Sequence, residues 1–332
     1  MQRIGVIGAG AWGTALAAMA RRAGRDVTLW AREDEVVESI NARHVNDVFL
    51  PEVALDPGIR ATSDYAETVD ADLVLLVAPA QHLRSVCAEL TADWKAGVPA
   101  VICSKGIERG SNALMTQVIA EALPAAPPMV LSGPTFAKEV AAGLPTAVTL
   151  ACEDAALGER AATAIGTATF RPYLSTDLVG SAIGGAVKNV LAIACGLVEG
   201  KQLGDNARAA LITRGLVEVV RLALSLGGQS QTLMGLCGLG DLLLTATSMQ
   251  SRNYSLGAAL GQGRTLDEVL GERRAVTEGV YTAEAVVSLA ESKGVDMPIC
   301  RAIDQILNKG VAVDAAIAEL LDRPIKEELD FG

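Results

Sequence analysis

Three groups of residues in this 332-residue chain carry side chains able to move protons, hold anions or cradle phosphate. The first is Lys188-Asn189, set inside Leu178–Val198, a stretch whose only other strongly polar side chain is Ser181. A buried amine is costly without partners. Burial also lowers its pKa toward neutrality, where it can exchange a proton under physiological conditions. The second group lies downstream. Asp241 is a lone carboxylate in Gly238-Leu239-Gly240-Asp241-Leu242, and Ser251-Arg252-Asn253 follows it. A hydroxyl, a forked guanidinium and an amide suit a phosphate group. Asp241 can hold Lys188 in place or bond a substrate hydroxyl; the plainer alternatives are a helix N-cap for Asp241 and a surface ion pair for Arg252. The third group is Gly8-Ala9-Gly10-Ala11-Trp12-Gly13, a complete GxGxxG. In such a motif Gly8 permits a tight turn, Gly10 the approach of backbone to a pyrophosphate, and Gly13 the packing of helix on strand.

These residues need elements to hold them. Arg3 to Gly8 reads as a buried strand and Ala11 to Gly24 as an alanine-rich helix, whose N-terminus would face phosphate with free N–H groups. Asp26 to Trp30 is a second strand at the expected distance, so the motif has the setting of a dinucleotide site. At its end stands Arg32, suited to a ribose 2′-phosphate, which favours NADP over NAD; Glu33 and Asp34 read as the start of the next helix. Strands at Ala71–Pro79, Pro99–Ser104, Met129–Gly133, Thr146–Ala151 and near Thr169–Leu174, with helices at Gln81–Leu90 and Asp154–Ile165, extend the alternation. This predicts an α/β fold, a doubly wound and mostly parallel Rossmann-like sheet. Ligands in such sheets sit at strand carboxyl ends. Ser104-Lys105-Gly106 and the Gly133-Pro134-Thr135 turn, before a short helix, stand at two of these, where the nicotinamide is expected.

Beyond Leu174 the pattern is helical: Ala207 to Gly227, Leu266 to Leu270, Thr282 to Ser292, Ile299 to Leu307 and Val313 to Leu321. The division therefore falls near Asp177, giving a dinucleotide-binding domain over 1–176 and an all-α substrate domain over 177–332. Thr176 or Asp177 can cap the Lys188 helix. That helix is long enough to span a membrane, at about 20 apolar residues, but its central lysine and Gly180, Gly184, Gly185 and Gly196 count against stable insertion. The other plain reading is an interdomain helix whose lysine snorkels to water.

Composition narrows the class. Half the residues are hydrophobic, a fifth charged and 3% aromatic, which suits a closely packed α/β enzyme and not a disordered chain. A net charge of −11 disfavours nucleic acid as a partner. The six cysteines form no CxxC pair, so no metal site or disulfide framework is expected and a reducing cytoplasm is. Uncharged Ile4 to Ala20, flanked by arginines, superficially resembles a signal sequence, but its glycines are those of the GxGxxG.

The segments GAGAWGTALA, SKGIE, SGPTFAKEVAAGLPTA, GGAVKNVLAIACG, NARAALITRG, GLGDLLLT and QSRNYSLG, in this order over almost the full chain, resemble bacterial NAD(P)-dependent glycerol-3-phosphate dehydrogenases. The resemblance implies reversible hydride transfer between NAD(P)H and dihydroxyacetone phosphate, giving sn-glycerol 3-phosphate for phospholipid synthesis, in a homodimer. By the same likeness Lys188 is the proton donor or acceptor and Lys105 touches both ligands. Gly133, Thr135, Asn189, Asp241, Ser251, Arg252 and Asn253 would then contact or frame the substrate. Trp12, Arg32, Ala137, Arg252, Val276 and Glu278 would line the cofactor, beside Gly8, Gly10 and Gly13. Ala11 departs from the serine or similar residue common there, and no motif lies past Gly310.

The chemistry agrees. Ketone reduction needs a hydride donor, an acid at the carbonyl oxygen and a fixed orientation. The two histidines, His44 and His82, lie beside no motif of the second half, which leaves Lys188 as the acid. Two other readings compete: a β-hydroxyacid or 6-phosphogluconate-type dehydrogenase, whose substrates carry a carboxylate, and a non-catalytic NADPH-sensing module.

Overall fold

The computed structural model describes residues 1–273, 276–324 and 327–328, and the chain forms two compact units. The first comprises Met1–Ser104 and Met115–Leu178. Its strands are β1 (Arg3–Ile7), β2 (Asp26–Trp30), β3 (Val45–Asn46), β4 (Leu50–Ala54), β5 (Ile59–Thr62), β6 (Leu73–Leu76), β7 (Ala100–Ile102), β8 (Pro128–Ser132), β9 (Thr146–Ala151) and β10 (Phe170–Ser175). Eight form one sheet in the order β10-β9-β8-β7-β6-β1-β2-β5, while β3 and β4 make a separate hairpin. All pairings in the large sheet are parallel except β8 with β9. Its central strands are uninterrupted apolar runs, Leu73 to Leu76 being buried throughout, as a sheet covered on both faces requires. The helices are α1 (Ala11–Arg22), α2 (Asp34–Arg43), α3 (Tyr65–Val69), α4 (Leu83–Leu90), α5 (Met115–Ala122), α6 (Ala137–Ala141) and α7 (Ala155–Ile165). The chain order reverses between β1 and β6, so the crevice beyond their carboxyl ends is the place for a ligand.

This is the doubly wound sheet expected from the sequence, with additions. The hairpin, β5, α3 and α5 carry no clear period: β4 is mostly exposed, and α3 is five residues long.

The second unit comprises Lys105–Leu114 and the chain from Val179 onward. The partition therefore departs from a cut at 176/177, because the segment bearing Lys105 packs with the helices. Arg109 Nε donates to Glu284 Oε2 at 2.7 Å, Asn112 Nδ2 donates to Ser288 Oγ at 2.7 Å, and Arg109 lies 5.9 Å over the Tyr281 ring. Ile107 and Leu114 belong to the helical core. The helices are α8 (Leu178–Gly200), α9 (Asp205–Ser225), α10 (Ser230–Leu233), α11 (Asp241–Thr245), α12 (Arg252–Gly261), α13 (Leu266–Gly271), α14 (Glu278–Ser292), α15 (Pro298–Asn308) and α16 (Val313–Leu321), with a π turn at Leu236–Gly240 before α11. No strand occurs in this unit among the described residues.

Helix α8 is the unit's axis. By length and composition it could cross a membrane, but it is almost wholly buried among the other helices. It meets α12 backbone to backbone through small residues. A Cβ on Gly196 would stand 2.0 Å from Tyr254 O, and one on Gly257 would stand 2.0 Å from Ile193 O. The glycines that make α8 a poor membrane span thus let another helix close on it. Elsewhere Glu218 of α9 accepts the Ile299 and Cys300 N–H groups at 2.7 and 3.1 Å, covering the start of α15, although burial pushes its carboxyl up to about 7. Gly196→Ala, which forces α8 and α12 apart, should destabilise the fold by about 1–3 kcal/mol. Urea unfolding would read this as a lower midpoint at unchanged slope, and an unaltered midpoint would contradict the close crossing.

Candidate active site

Three elements of the second unit bring their polar groups to one point. Gly184 is the first cause: a Cβ there would lie 2.5 Å from Cys237 O, so α8 presses directly on the π turn. One helical turn later, Lys188 is level with the residue that follows the π turn, Asp241. Lys188 Nζ donates to Asp241 Oδ1 at 2.5 Å and to Thr245 Oγ1 at 2.9 Å. Lys105 Nζ donates to the other carboxylate oxygen, Oδ2, at 2.6 Å. Asp241 is fully buried; the lysine side chains are 8% exposed for Lys188 and 16% for Lys105. Asp241 is therefore no helix N-cap, and Lys188 does not snorkel.

One buried carboxylate shared by two ammonium groups leaves a positive charge in excess. Lys188 yields to it: desolvation draws its pKa down to about 7, with Asp241 opposing the shift and Lys105 adding to it. An amine near pH 7 is balanced between proton donor and acceptor. Thr245, which sequence reasoning passed over, accepts from Lys188 and donates toward Asp241 at 3.4 Å. The Asp241-x-x-x-Thr245 spacing, which aligns two polar groups on one helix face, was the available signal.

An amide ladder fixes the Lys105 segment. Gly279 N donates to Asn253 Oδ1 (3.0 Å), Asn253 Nδ2 to Asn189 Oδ1 (2.9 Å), and Asn189 Nδ2 to Lys105 O (3.3 Å). Asn189 and Asn253 thus tie α8, α12 and α14 to the loop that carries Lys105. Ser251, not Asp241, is the capping residue, its Oγ accepting from Tyr254 N at 3.2 Å at the start of α12. Arg252 is exposed at that helix start and is in no salt bridge within 4.0 Å among the described residues. Yet the surrounding protein draws its pKa down by desolvation, with Glu278 opposing. Val276 and Glu278 lie just before and at the start of α14.

The first unit holds the phosphate-cradle residues. Gly8 has φ +112° and donates its N–H to Trp30 O at 3.1 Å, tying the turn to the end of β2. A Cβ on Gly13 would lie 1.8 Å from Gly8 O, so helix and turn are in contact, whereas a Cβ on Gly10 would meet nothing within 4 Å. Gly10 stands at the N-cap of helix α1 with no side-chain cap, and the buried Trp12 Nε1 has no hydrogen-bond partner among the described residues. An open glycine face, uncapped N–H groups and an orphaned indole donor fit a dinucleotide pyrophosphate. At the end of β2 Arg32 is exposed and bonded to Glu33. Gly133 is required by packing, since a Cβ would stand 2.9 Å from Val148 Cα; Thr135 Oγ1 donates to Gly133 O at 3.2 Å; Ala137 opens α6.

The chain matches the two halves of one family in order, the Lys105–Leu114 segment of the second unit falling within the first half. Residues 3–158 match the NAD-dependent glycerol-3-phosphate dehydrogenase N-terminus and residues 177–318 the corresponding C-terminus. The glycerol-3-phosphate dehydrogenase [NAD(P)+] of Rhodospirillum rubrum is 63% identical over 329 residues, covering 99% of this chain and 94% of the relative. That of Caulobacter vibrioides is 61% identical over 327 residues, covering 98% and 99%. The crystal structure of glycerol-3-phosphate dehydrogenase from Coxiella burnetii is similar at a TM-score of 0.93 and 38% identity, covering 97% of this chain and 99% of that one. With a dinucleotide cradle in one unit, a lysine–carboxylate cluster in the other and both family halves matched, the chain belongs to the NAD-dependent glycerol-3-phosphate dehydrogenase family.

Proposed function

We propose that this chain catalyses the reversible NAD(P)H-dependent reduction of dihydroxyacetone phosphate to sn-glycerol 3-phosphate, feeding glycerophospholipid synthesis in the cytoplasm. The observation that carries this reading is the buried Lys188–Asp241–Lys105 cluster, an acid held near neutral pKa inside a fixed hydrogen-bond frame. Bound at the GxGxxG turn, the nicotinamide cofactor supplies the hydride.

The chain's own residues supply the rest. Lys188 Nζ, as ammonium, stabilises charge developing on the ketone oxygen and then gives it a proton: an O–H bond forms, an N–H bond breaks and the amine is left neutral. Asp241 and Thr245 hold that nitrogen in position throughout. Loss of the proton removes the excess positive charge, leaving Lys105 paired with Asp241. In the oxidative direction the same amine accepts the proton. Arg252, at the start of α12, suits the substrate's phosphate, and Gly133 and Thr135 act as further substrate contacts. The six cysteines, all free, suit a reducing compartment. Exposed Met234, Leu243 and Met249 supply apolar surface for a homodimer.

Steady-state assays decide the substrate. Dihydroxyacetone phosphate should be turned over with NADPH or NADH, and small β-hydroxyacids should not; turnover of the hydroxyacids alone would end this reading. Lys188→Ala should fold and bind NADPH yet lose about 10²–10⁴-fold in kcat, as removal of a general acid does; retention of activity would remove Lys188 as the acid, whereas NADPH binding with no turnover by the parent chain would support the sensing alternative. The pH dependence has a definite sign. Reduction needs the ammonium, so its kcat/KM should fall as pH rises through about 7, whereas oxidation needs the amine and should rise over the same interval. Identical profiles in both directions would remove Lys188 from proton transfer.

A further inference from the structure

The end of β2 carries two side chains of opposite charge where one is usual. Ala31 N donates to Thr62 O at 2.9 Å, closing the sheet, and Arg32 and Glu33 follow before α2 begins. Sequence reasoning gave Glu33 to the helix, and it does occupy the residue before the first turn. Its carboxylate, however, caps nothing there. It turns back to its neighbour: Arg32 Nε and Nη2 both donate to Glu33 Oε1, at 3.1 and 2.8 Å. Oε2 has no hydrogen-bond donor among the described residues. Arg32 is 81% exposed and Glu33 31%. The same strand end is bonded to the fingerprint turn through Gly8 N and Trp30 O, and Tyr65 stacks on Trp30 at 4.3 Å.

In this fold the residue at the end of the second strand reads the adenosine ribose: a carboxylate accepts from a 2′-hydroxyl, and an arginine nearby takes a 2′-phosphate. Here both are present and bound to each other. Building on the proposed NAD(P) chemistry, we infer that Glu33 is the specificity-determining residue for the cofactor. Its free Oε2 receives the 2′-hydroxyl of NADH, and its hold on Arg32 restrains the group that NADPH requires. An exposed ion pair between neighbours is worth little, so the guanidinium can leave at small cost. That makes the pair a bias between the two cofactors and not a bar to either. When a 2′-phosphate does engage Arg32, the Glu33 carboxylate remains as a like charge beside it.

Direct binding tests this apart from turnover. Dissociation constants for NADPH, NADH, adenosine 2′,5′-bisphosphate and adenosine 5′-phosphate are measured by calorimetry on the full chain and two variants. Removing one negative charge some 5–6 Å from a phosphate monoester that carries nearly two charges changes its affinity in water by about tenfold. Glu33→Gln should therefore tighten NADPH and adenosine 2′,5′-bisphosphate by about tenfold and weaken NADH severalfold. Arg32→Ala should weaken the two 2′-phosphorylated ligands by about tenfold or more and leave the others within about twofold. If the parent binds both dinucleotides and Glu33→Gln shifts them equally or not at all, the inference fails while the proposed function stands. If the parent binds neither, both fall together.

Discussion

Two ammonium groups and one carboxylate, buried together, are the constraint to which the rest of the second unit answers. With its charges unmatched, the cluster holds a proton loosely at Lys188. Everything that keeps the cluster in shape therefore also sets the readiness of that proton. The π turn delivers Asp241, the Gly184 contact brings α8 level with it, and the asparagine ladder brings in Lys105. Removing the carboxylate would strand two like charges, which is why no neutral residue is equivalent at Asp241.

The close helix crossings have the same purpose at longer range. Glycines at 184, 196 and 257 allow backbones to touch, and contacts of that kind have little play. The lysine–carboxylate distance is thus set by main chain against main chain, not by the adaptable fit of large side chains. In the first unit, the contact between Gly13 and Gly8 O likewise fixes the turn over which a pyrophosphate is to lie.

How much of this is legible in the sequence depends on how local each requirement is. The GxGxxG can be read because its demands fall on the backbone of six neighbouring residues. Lys188 can be read because a charge in an apolar helix must have partners. The doubly wound sheet follows from long apolar strands at regular intervals, but β5 and α5 are too short to show a period. Lys105 follows a strand of the first unit and packs with the second; contacts such as Arg109–Glu284 and Asn112–Ser288, pairs more than 170 residues apart in sequence, decide that. Asp241 is visible as an odd carboxylate, yet its two partners come from elements 136 and 53 residues away. At Glu33 the local rule places the residue at the helix start, where it is, but does not show that its side chain turns to the neighbouring cation.

The burial of α8 carries a consequence for how the chain comes to be made. Its most apolar 18-residue window has a mean hydropathy of 1.6, and apart from the short Lys105–Leu114 segment its cover consists of helices that follow it in the chain. A ribosome that has released residues only as far as Gly200 has therefore exposed an oily rod whose wrapping has yet to be translated. The second unit cannot assemble in step with synthesis from its amino end; it must wait for α12 and α14, and until then that rod depends on whatever else shields it from water.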